Sequence, residues 1–160
     1  MDIKVTLTTA PKAKPADESK LGFGKVFTDH MFMMEYEEGK GWMNPRIEPY
    51  HKLLIDPSSS VLHYAQEIFE GLKAYRADNG HIYMFRAKDN CRRLNRSADR
   101  MCMPNIDVDF NYEAMRKLVE IEKDWIPHAQ GTSLYLRPTM FANDEALGVH
   151  AAKHYVYFII

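Results

Sequence analysis

Four arginines lie close together at Arg92, Arg93, Arg96 and Arg100. Residues 93, 96 and 100 are three and four apart, so on a helix they share one stripe. Arg93 borders the apolar positions Leu94 and Ala98, so its guanidinium is expected to be partly buried. A planar guanidinium fork suits bidentate capture of an anion. The same spacing equally fits a solvated stripe paired with Asp89 and Asp99, and periodicity alone does not decide. A second candidate is Arg137, within Ser133-Leu134-Tyr135-Leu136-Arg137-Pro138. In a strand, Tyr135 and Arg137 share one face while Leu134 and Leu136 share the other. An arginine beside a tyrosine on an otherwise apolar strand makes a carboxylate clamp; a charge on an edge strand is the alternative. The third candidate is the stretch from Leu62-His63-Tyr64 to Phe69-Glu70-Gly71, which sets ionisable and aromatic groups among apolar ones. His63 reads there as a structural residue before a base, and Gly71 as a turn.

Other chemistries lack their residues. Gly22-Phe23-Gly24 is too short for a Walker or dinucleotide loop. There is no nucleophile elbow. Cys91 and Cys102 form neither a CxxC pair nor part of a His/Cys cluster, so neither a zinc site nor a disulfide framework is expected.

The elements that must carry these residues read as follows. Residues 1–22, with Pro11 and Pro15, suggest a short strand or arm and then a mobile linker. From Phe27 to Glu38 the pattern is strand-like, with Phe32, Met34 and Tyr36 alternating. Gly39-Lys40-Gly41 supplies a turn and the strand restarts at Trp42; Arg46 to Leu54 is mixed. Asp56-Pro57-Ser58-Ser59-Ser60 breaks the chain and is expected to cap a short helix over Val61–Phe69. Leu72–Arg76 and His81–Phe85 read as a hairpin joined at Asn79-Gly80. An amphipathic helix over about Lys88–Cys102 follows, with Cys91, Leu94, Ala98 and Met101/Cys102 on its apolar face. A second helix, capped by Asp109 or Asn111, runs to about Trp125 with Met115, Leu118, Val119 and Glu122 in register. Ser133–Phe141 reads as one strand, Asn143–His154 as a loop, and Tyr155–Ile160 as a buried strand. Strands, then helices, then strands describe an α+β domain.

The chain has 160 residues, of which 46% are hydrophobic and 27% charged. A domain of this length buries roughly two thirds of its unfolded surface. The formal net charge of −1 gives no general attraction to nucleic acid or anionic membrane. No stretch reaches the roughly 18–20 apolar residues of a membrane span, and Met1–Lys20 has no apolar signal-peptide core. A cytoplasmic setting is the expectation. The last six residues are all apolar or aromatic, which would be an aggregation hazard unless paired and covered. Either this is a central strand that comes last, or the chain is cut inside a larger protein.

Six segments in order carry a resemblance: Phe23-Gly24-Lys25-Val26-Phe27-Thr28-Asp29-His30-Met31, Leu62-His63-Tyr64 through Glu70-Gly71-Leu72-Lys73-Ala74-Tyr75, Met84-Phe85-Arg86, Arg93-Leu94-Asn95-Arg96-Ser97-Ala98, Leu134-Tyr135-Leu136-Arg137-Pro138 and Leu147-Gly148-Val149. Over about residues 20–160 the sequence resembles the branched-chain amino acid aminotransferases of fold type IV, which depend on pyridoxal 5′-phosphate. The resemblance implies an α+β small domain over 23–160, with mostly antiparallel strands and helices packed on them, after an arm at 1–22. It implies a further C-terminal domain carrying the cofactor lysine, since none of the twelve lysines sits in a matching motif. By the same resemblance Arg93 binds the cofactor phosphate. Phe23, Phe69 and Tyr135 line the substrate pocket, and Arg137 receives the distal carboxylate of glutamate. Tyr64, Leu147 and Val149 complete that pocket in the neighbouring subunit of a homodimer. The implied reaction exchanges leucine, isoleucine or valine and 2-oxoglutarate for the branched 2-oxo acid and glutamate. A non-catalytic interaction module, or a fold-type IV relative acting on D-amino acids or aminodeoxychorismate, are the alternatives.

Overall fold

The computed structural model describes residues 1–160. A six-stranded sheet runs in the order β1-β3-β2-β9-β8-β4, and a three-stranded sheet in the order β6-β5-β7. The strands are β1 (Lys4–Val5), β2 (His30–Glu37), β3 (Gly41–Pro49), β4 (Glu67–Phe69), β5 (Leu72–Arg76), β6 (Ile82–Met84), β7 (Leu134–Leu136), β8 (Pro138–Ala142) and β9 (His154–Ile159). The α-helices are α1 (Ser60–Tyr64), α2 (Ala87–Arg100) and α3 (Val108–Ile121), and single 3-10 turns lie at Glu18–Lys20 and Lys123–Trp125, so the second expected helix ends at Ile121 and reaches Trp125 only as such a turn. Only the β1–β3 pair is parallel; every other pairing is antiparallel. The α+β expectation holds. No helix is long and apolar enough to cross a membrane.

The β2–β3 hairpin forms because Gly39 and Gly41 take φ of 85° and 80°, a region that costs a side chain energy and a glycine almost none. β3 continues to Pro49, so the segment that reads as mixed from Arg46 is largely strand. Hydrogen bonding to β2 on one side and to β1 on the other overrides its polar composition. The short helix ends at Tyr64 rather than Phe69. Ala65 turns left-handed at φ 51°, and Glu67–Phe69 pairs with β8. Ladder hydrogen bonds there replace the helical ones that propensity suggested.

The α2 face is Ala87, Cys91, Leu94 and Ala98; Met101 and Cys102 lie past its end and are exposed. α3 begins one turn earlier than expected. Its cap is Asp107, whose carboxylate accepts the Phe110 N–H at 2.8 Å, not Asp109 or Asn111. α2 and α3 lay Cys91, Leu94, Ala114, Met115 and Leu118 against Phe32, Met34, Ile47, Tyr157 and Ile159 of the larger sheet, within one apolar core. β9 fits between β2 and β8 and is hydrogen-bonded on both sides, so its apolar run is paired and its Tyr155, Tyr157 and Ile159 are buried.

Ser133–Phe141 is two strands. β7 pairs with β5 in the small sheet and β8 with β4 and β9 in the large one, with Arg137 between them. β4 and β5 divide in the same way at Glu70-Gly71. Both segments therefore change sheets at one seam.

The two cysteines are free, Cys91 buried and Cys102 exposed. Burial pushes the Cys91 thiol up to about 11, so at neutral pH it is both covered and protonated. Titration of the native protein with an aromatic disulfide at pH 8 is expected to count one fast thiol, Cys102. A second should appear only on denaturation; two fast thiols in the native state would contradict this packing.

Candidate functional site

The seam is closed by backbone hydrogen bonds. The Glu70 N–H donates to the Pro138 carbonyl at 2.9 Å, the Arg137 N–H to the Ile160 carbonyl at 2.7 Å, and the Ile160 N–H back to Arg137 at 3.3 Å. Sequence pattern placed Arg137 inside a strand. It sits at the switch between β7 and β8, with its side chain laid against its neighbours. The guanidinium carbon sits 4.3 Å from the centre of the Phe69 ring and 5.3 Å from that of Tyr135. Its Nε donates to the Tyr135 hydroxyl at 3.2 Å. The edge of Phe23 meets the Tyr135 ring at 4.9 Å between centroids. Arg137 makes no ion pair within the chain, so its charge is steadied by π faces and one hydroxyl. Such contacts are worth about 0.5–1 kcal/mol at exposed sites.

Gly71 explains how close these groups come. A Cβ added there would overlap the Tyr135 hydroxyl. Beside the cluster lies a cavity of about 600 Å³, bordered by Phe23, Thr28, Lys73, Tyr135, Arg137 and Ile160. A volume of this order suits a small ligand. An apolar side chain can lie on its aromatic walls, and a carboxylate can meet Arg137.

On the other side of the seam, Arg93 does hold a planar anion, but one supplied by its own chain. Nε donates to Oε1 of Glu70 at 2.5 Å and Nη2 to Oε2 at 2.7 Å. The Glu70 side chain is 3% exposed while that of Arg93 is 58% exposed. Arg93 is thus more solvated than its helix position suggested, because it reaches over the edge of α2 to cover a buried carboxylate. Asn90 Nδ2 and the Gly71 N–H also donate to Glu70, at 3.1 and 3.2 Å. Burial pushes the Glu70 carboxyl up, but these hydrogen bonds with Arg93 foremost outweigh it and hold the group below its ordinary value of 4.5. The solvated-stripe reading holds in part. Arg92 pairs with Asp89 at 2.7 Å, whereas Asp99 accepts from Asn105. Arg96 and Arg100 have no carboxylate partner and line an open groove of about 510 Å³ with Arg93 and Ser97.

Tyr64, Leu147 and Val149 come together elsewhere. The Tyr64 hydroxyl donates to the Leu147 carbonyl, and a Ser59–Glu145 bridge holds the two loops side by side. None of the three borders the cavity. Tyr64, Leu147 and Val149 are 45%, 64% and 86% exposed. The structure therefore gathers Phe23, Phe69, Tyr135 and Arg137, ties Arg93 to them through Glu70-Gly71, and sets the other three on a separate apolar surface.

Sequence reasoning missed Glu70 as a partner of Arg93, and Lys73, Thr28 and Ile160 as walls. Glu70 carried a signal. It falls two residues after buried Ile68, an inward position of the strand register where an acid needs a cation.

The fold matches those of solved branched-chain aminotransferases. The Escherichia coli enzyme superposes with a TM-score of 0.60 over 82% of this chain and 40% of that one, at 23% identity. That of Thermobaculum terrenum, described as the pyridoxal-phosphate holo-form, gives 0.56 over 79% and 38%, at 21% identity. The chain thus shares its fold with the part of these enzymes that it covers. No family model matches the chain. The branched-chain-amino-acid transaminase 1 of Bacillus subtilis (strain 168) is 56% identical over 149 residues, which are 93% of this chain and 42% of that protein. Over the part it spans, the chain is similar to branched-chain aminotransferases; it covers less than half the length of the curated relatives it matches.

Two outcomes follow from this geometry. Gly71→Ala is expected to displace the Tyr135 ring, moving its resonances in protein labelled at tyrosine, with little change in thermal midpoint because the ring end can yield. Unmoved resonances would show that the contact is slack. Because the folded-state pKa of Glu70 is lowered, its contribution to stability is complete above the unfolded value. It is lost as pH falls from about 4.5 through the folded pKa. Glu70→Gln should flatten that part of the acid slope in urea titrations between pH 7 and 3; an unchanged slope would remove Glu70 from the acid response.

Proposed function

We propose that this chain is the small-domain portion of a branched-chain amino acid aminotransferase that converts leucine, isoleucine or valine to the 2-oxo acid with 2-oxoglutarate as the amino acceptor. Residues 1–22 serve as an arm that adds β1 to the edge of the large sheet, 23–160 form the body of the domain, and a second domain supplies the cofactor lysine. Identity to the Bacillus protein over nearly the whole chain supports the reading. The observation that carries it is Arg137, clamped by Phe69 and Tyr135 at the edge of the cavity with no carboxylate of its own. One pocket must accept a branched alkyl group in one half-reaction and a carboxylate in the other. Aromatic faces satisfy the first, and a half-buried guanidinium with a tyrosine hydroxyl satisfies the second. A methylene more or less in such a pocket changes binding by only about 1–3 kcal/mol, so discrimination among leucine, isoleucine and valine is weak.

Pyridoxal 5′-phosphate fits the residues present. Arg93 spends two of its five N–H donors on Glu70 and keeps three for a phosphate. Arg96 and the Ser97 hydroxyl border the same groove. When bound, the cofactor supplies the electron sink for transamination. The chain's part is to anchor the phosphate at Arg93 and to place the substrate side chain against Phe23 and Tyr135, with Phe69 outside the cavity wall and stacked on Arg137. Tyr64, Leu147 and Val149 are read as the wall contributed to the other pocket of a homodimer, which accounts for their exposure. A cytoplasmic location belongs to the same reading.

The test is an amino-transfer assay on the complete protein that carries this sequence. Leucine and 2-oxoglutarate are expected to yield glutamate. Losing a charge-assisted hydrogen bond costs about 1.5–3 kcal/mol. Arg137→Ala should therefore raise the KM for 2-oxoglutarate about 10- to 100-fold and that for leucine far less. Equal effects on both substrates would overturn the role of Arg137, and absence of transfer in the parent protein would overturn the activity.

A further inference from the structure

The buried partner of Arg93 is the feature that the activity does not by itself explain. A carboxylate that is nearly inaccessible, made with three separate sets of donors, is an expensive way to fix one surface arginine. We infer that Glu70 is a positioning residue for phosphate capture, aiming the Arg93 fork so that its unspent donors face the groove shared with Arg96, Ser97 and Arg100. This rests on the reading that Arg93 takes the cofactor phosphate.

An unrestrained arginine carries about 2 kcal/mol of rotamer entropy that binding must remove. Pairing both Oε1 and Oε2 with Nε and Nη2 fixes the plane of the guanidinium before any ligand arrives. The two hydrogens on Nη1 and one on Nη2 are left over. Glu70 can do this because it is itself immobile. Its backbone N–H is bonded to Pro138 across the seam, and its carboxylate is held by Asn90 and by Gly71. Charge is not a net loss at the groove. Arg93, Arg96 and Arg100 line it, and with only Glu70 set against them two positive charges remain uncompensated, which matches a phosphate dianion.

The same carboxylate links two sites. Phe69 precedes Glu70 and stacks on Arg137; Gly71 follows it and packs on Tyr135. One anchored residue thus sets the spacing between the phosphate end and the side-chain end of whatever the pocket holds.

The test measures dissociation constants for pyridoxal 5′-phosphate and for pyridoxal by equilibrium dialysis on the complete protein, with thermal midpoints alongside. Glu70→Gln keeps the shape and removes the charge that orders the fork. It is expected to lower the preference for the phosphate ester about tenfold, roughly one charge-assisted hydrogen bond, while the pyridoxal constant stays within about twofold. Equal weakening of both compounds would indicate a merely structural role and overturn the proposal, as would an unchanged or increased preference. If Glu70→Gln does not fold, Asn90→Ala, which removes one donor from the carboxylate, takes its place. A fall of about two- to threefold in the preference is then expected, and no fall overturns the proposal. Arg93→Ala separates the two levels. If it leaves the phosphate preference intact, the phosphate reading of Arg93 fails and the role of Glu70 with it. If Arg93→Ala abolishes the preference and Glu70→Gln does not touch it, only the role of Glu70 fails.

Discussion

A carboxylate with almost no access to water must be compensated, and the seam of this domain is arranged around that requirement. Desolvating an ion costs on the order of several kcal/mol if it is left alone. Glu70 is met by a guanidinium fork, a side-chain amide and a backbone N–H. Meeting it fixes the distance of α2 from the β4–β5 corner. The corner in turn lies against the β7–β8 switch through the Glu70–Pro138 hydrogen bond. The position of Arg137, and with it the aromatic clamp, follows from backbone geometry set by this one buried charge.

The wall carrying Phe23 is secured by a different polar network. His30 and Glu122, 7% and 2% exposed, form a buried pair. The Thr8 N–H donates to His30 Nε2 at 2.9 Å, which requires a lone pair on that nitrogen and so leaves Nδ1–H facing Glu122. Asp29 accepts from the Lys12 N–H at 2.8 Å and from the Trp125 indole at 2.9 Å. Glu18 accepts the N–H groups of His128 and Ala129. The loop bearing Phe23 is therefore tied at both ends, although Phe23 itself is 67% exposed. Its ring reaches Tyr135 because the flanking backbone is held, not because it is packed.

What was legible in the sequence was what repeats. The apolar period of α2 named Cys91, Leu94 and Ala98, and Asn79-Gly80 marked its hairpin. The alternation of Phe32 and Met34 identified the central strand. What was not legible arises where two local signals compete or where a partner is distant. Val61–Phe69 has helical composition, yet its second half pairs with β8, more than sixty residues away. Ser133–Phe141 reads as one strand because nothing in a period of two marks a change of sheet. The candidate site residues were singled out through their ordered motifs, and pattern alone left Arg93 and Arg137 undecided. The partner of Arg93 was not legible, because an acid at position 70 acquires meaning only when α2 is laid across it.

The placement of β9 bears on how the domain forms. It is the last strand in sequence, yet it lies between β2 and β8 in the large sheet. Phe32 pairs with Ile159 and Glu37 with His154, contacts that close loops of well over a hundred residues. Closure entropy of that kind must be met before the pairing is rewarded. Until residues 154–159 are available, β2 and β8 have no shared neighbour and the Arg137–Ile160 pair cannot form. The β2–β3 hairpin and the α2–α3 pair can assemble early from local contacts. The seam, and the pocket beside it, is then among the last parts of the domain to take shape.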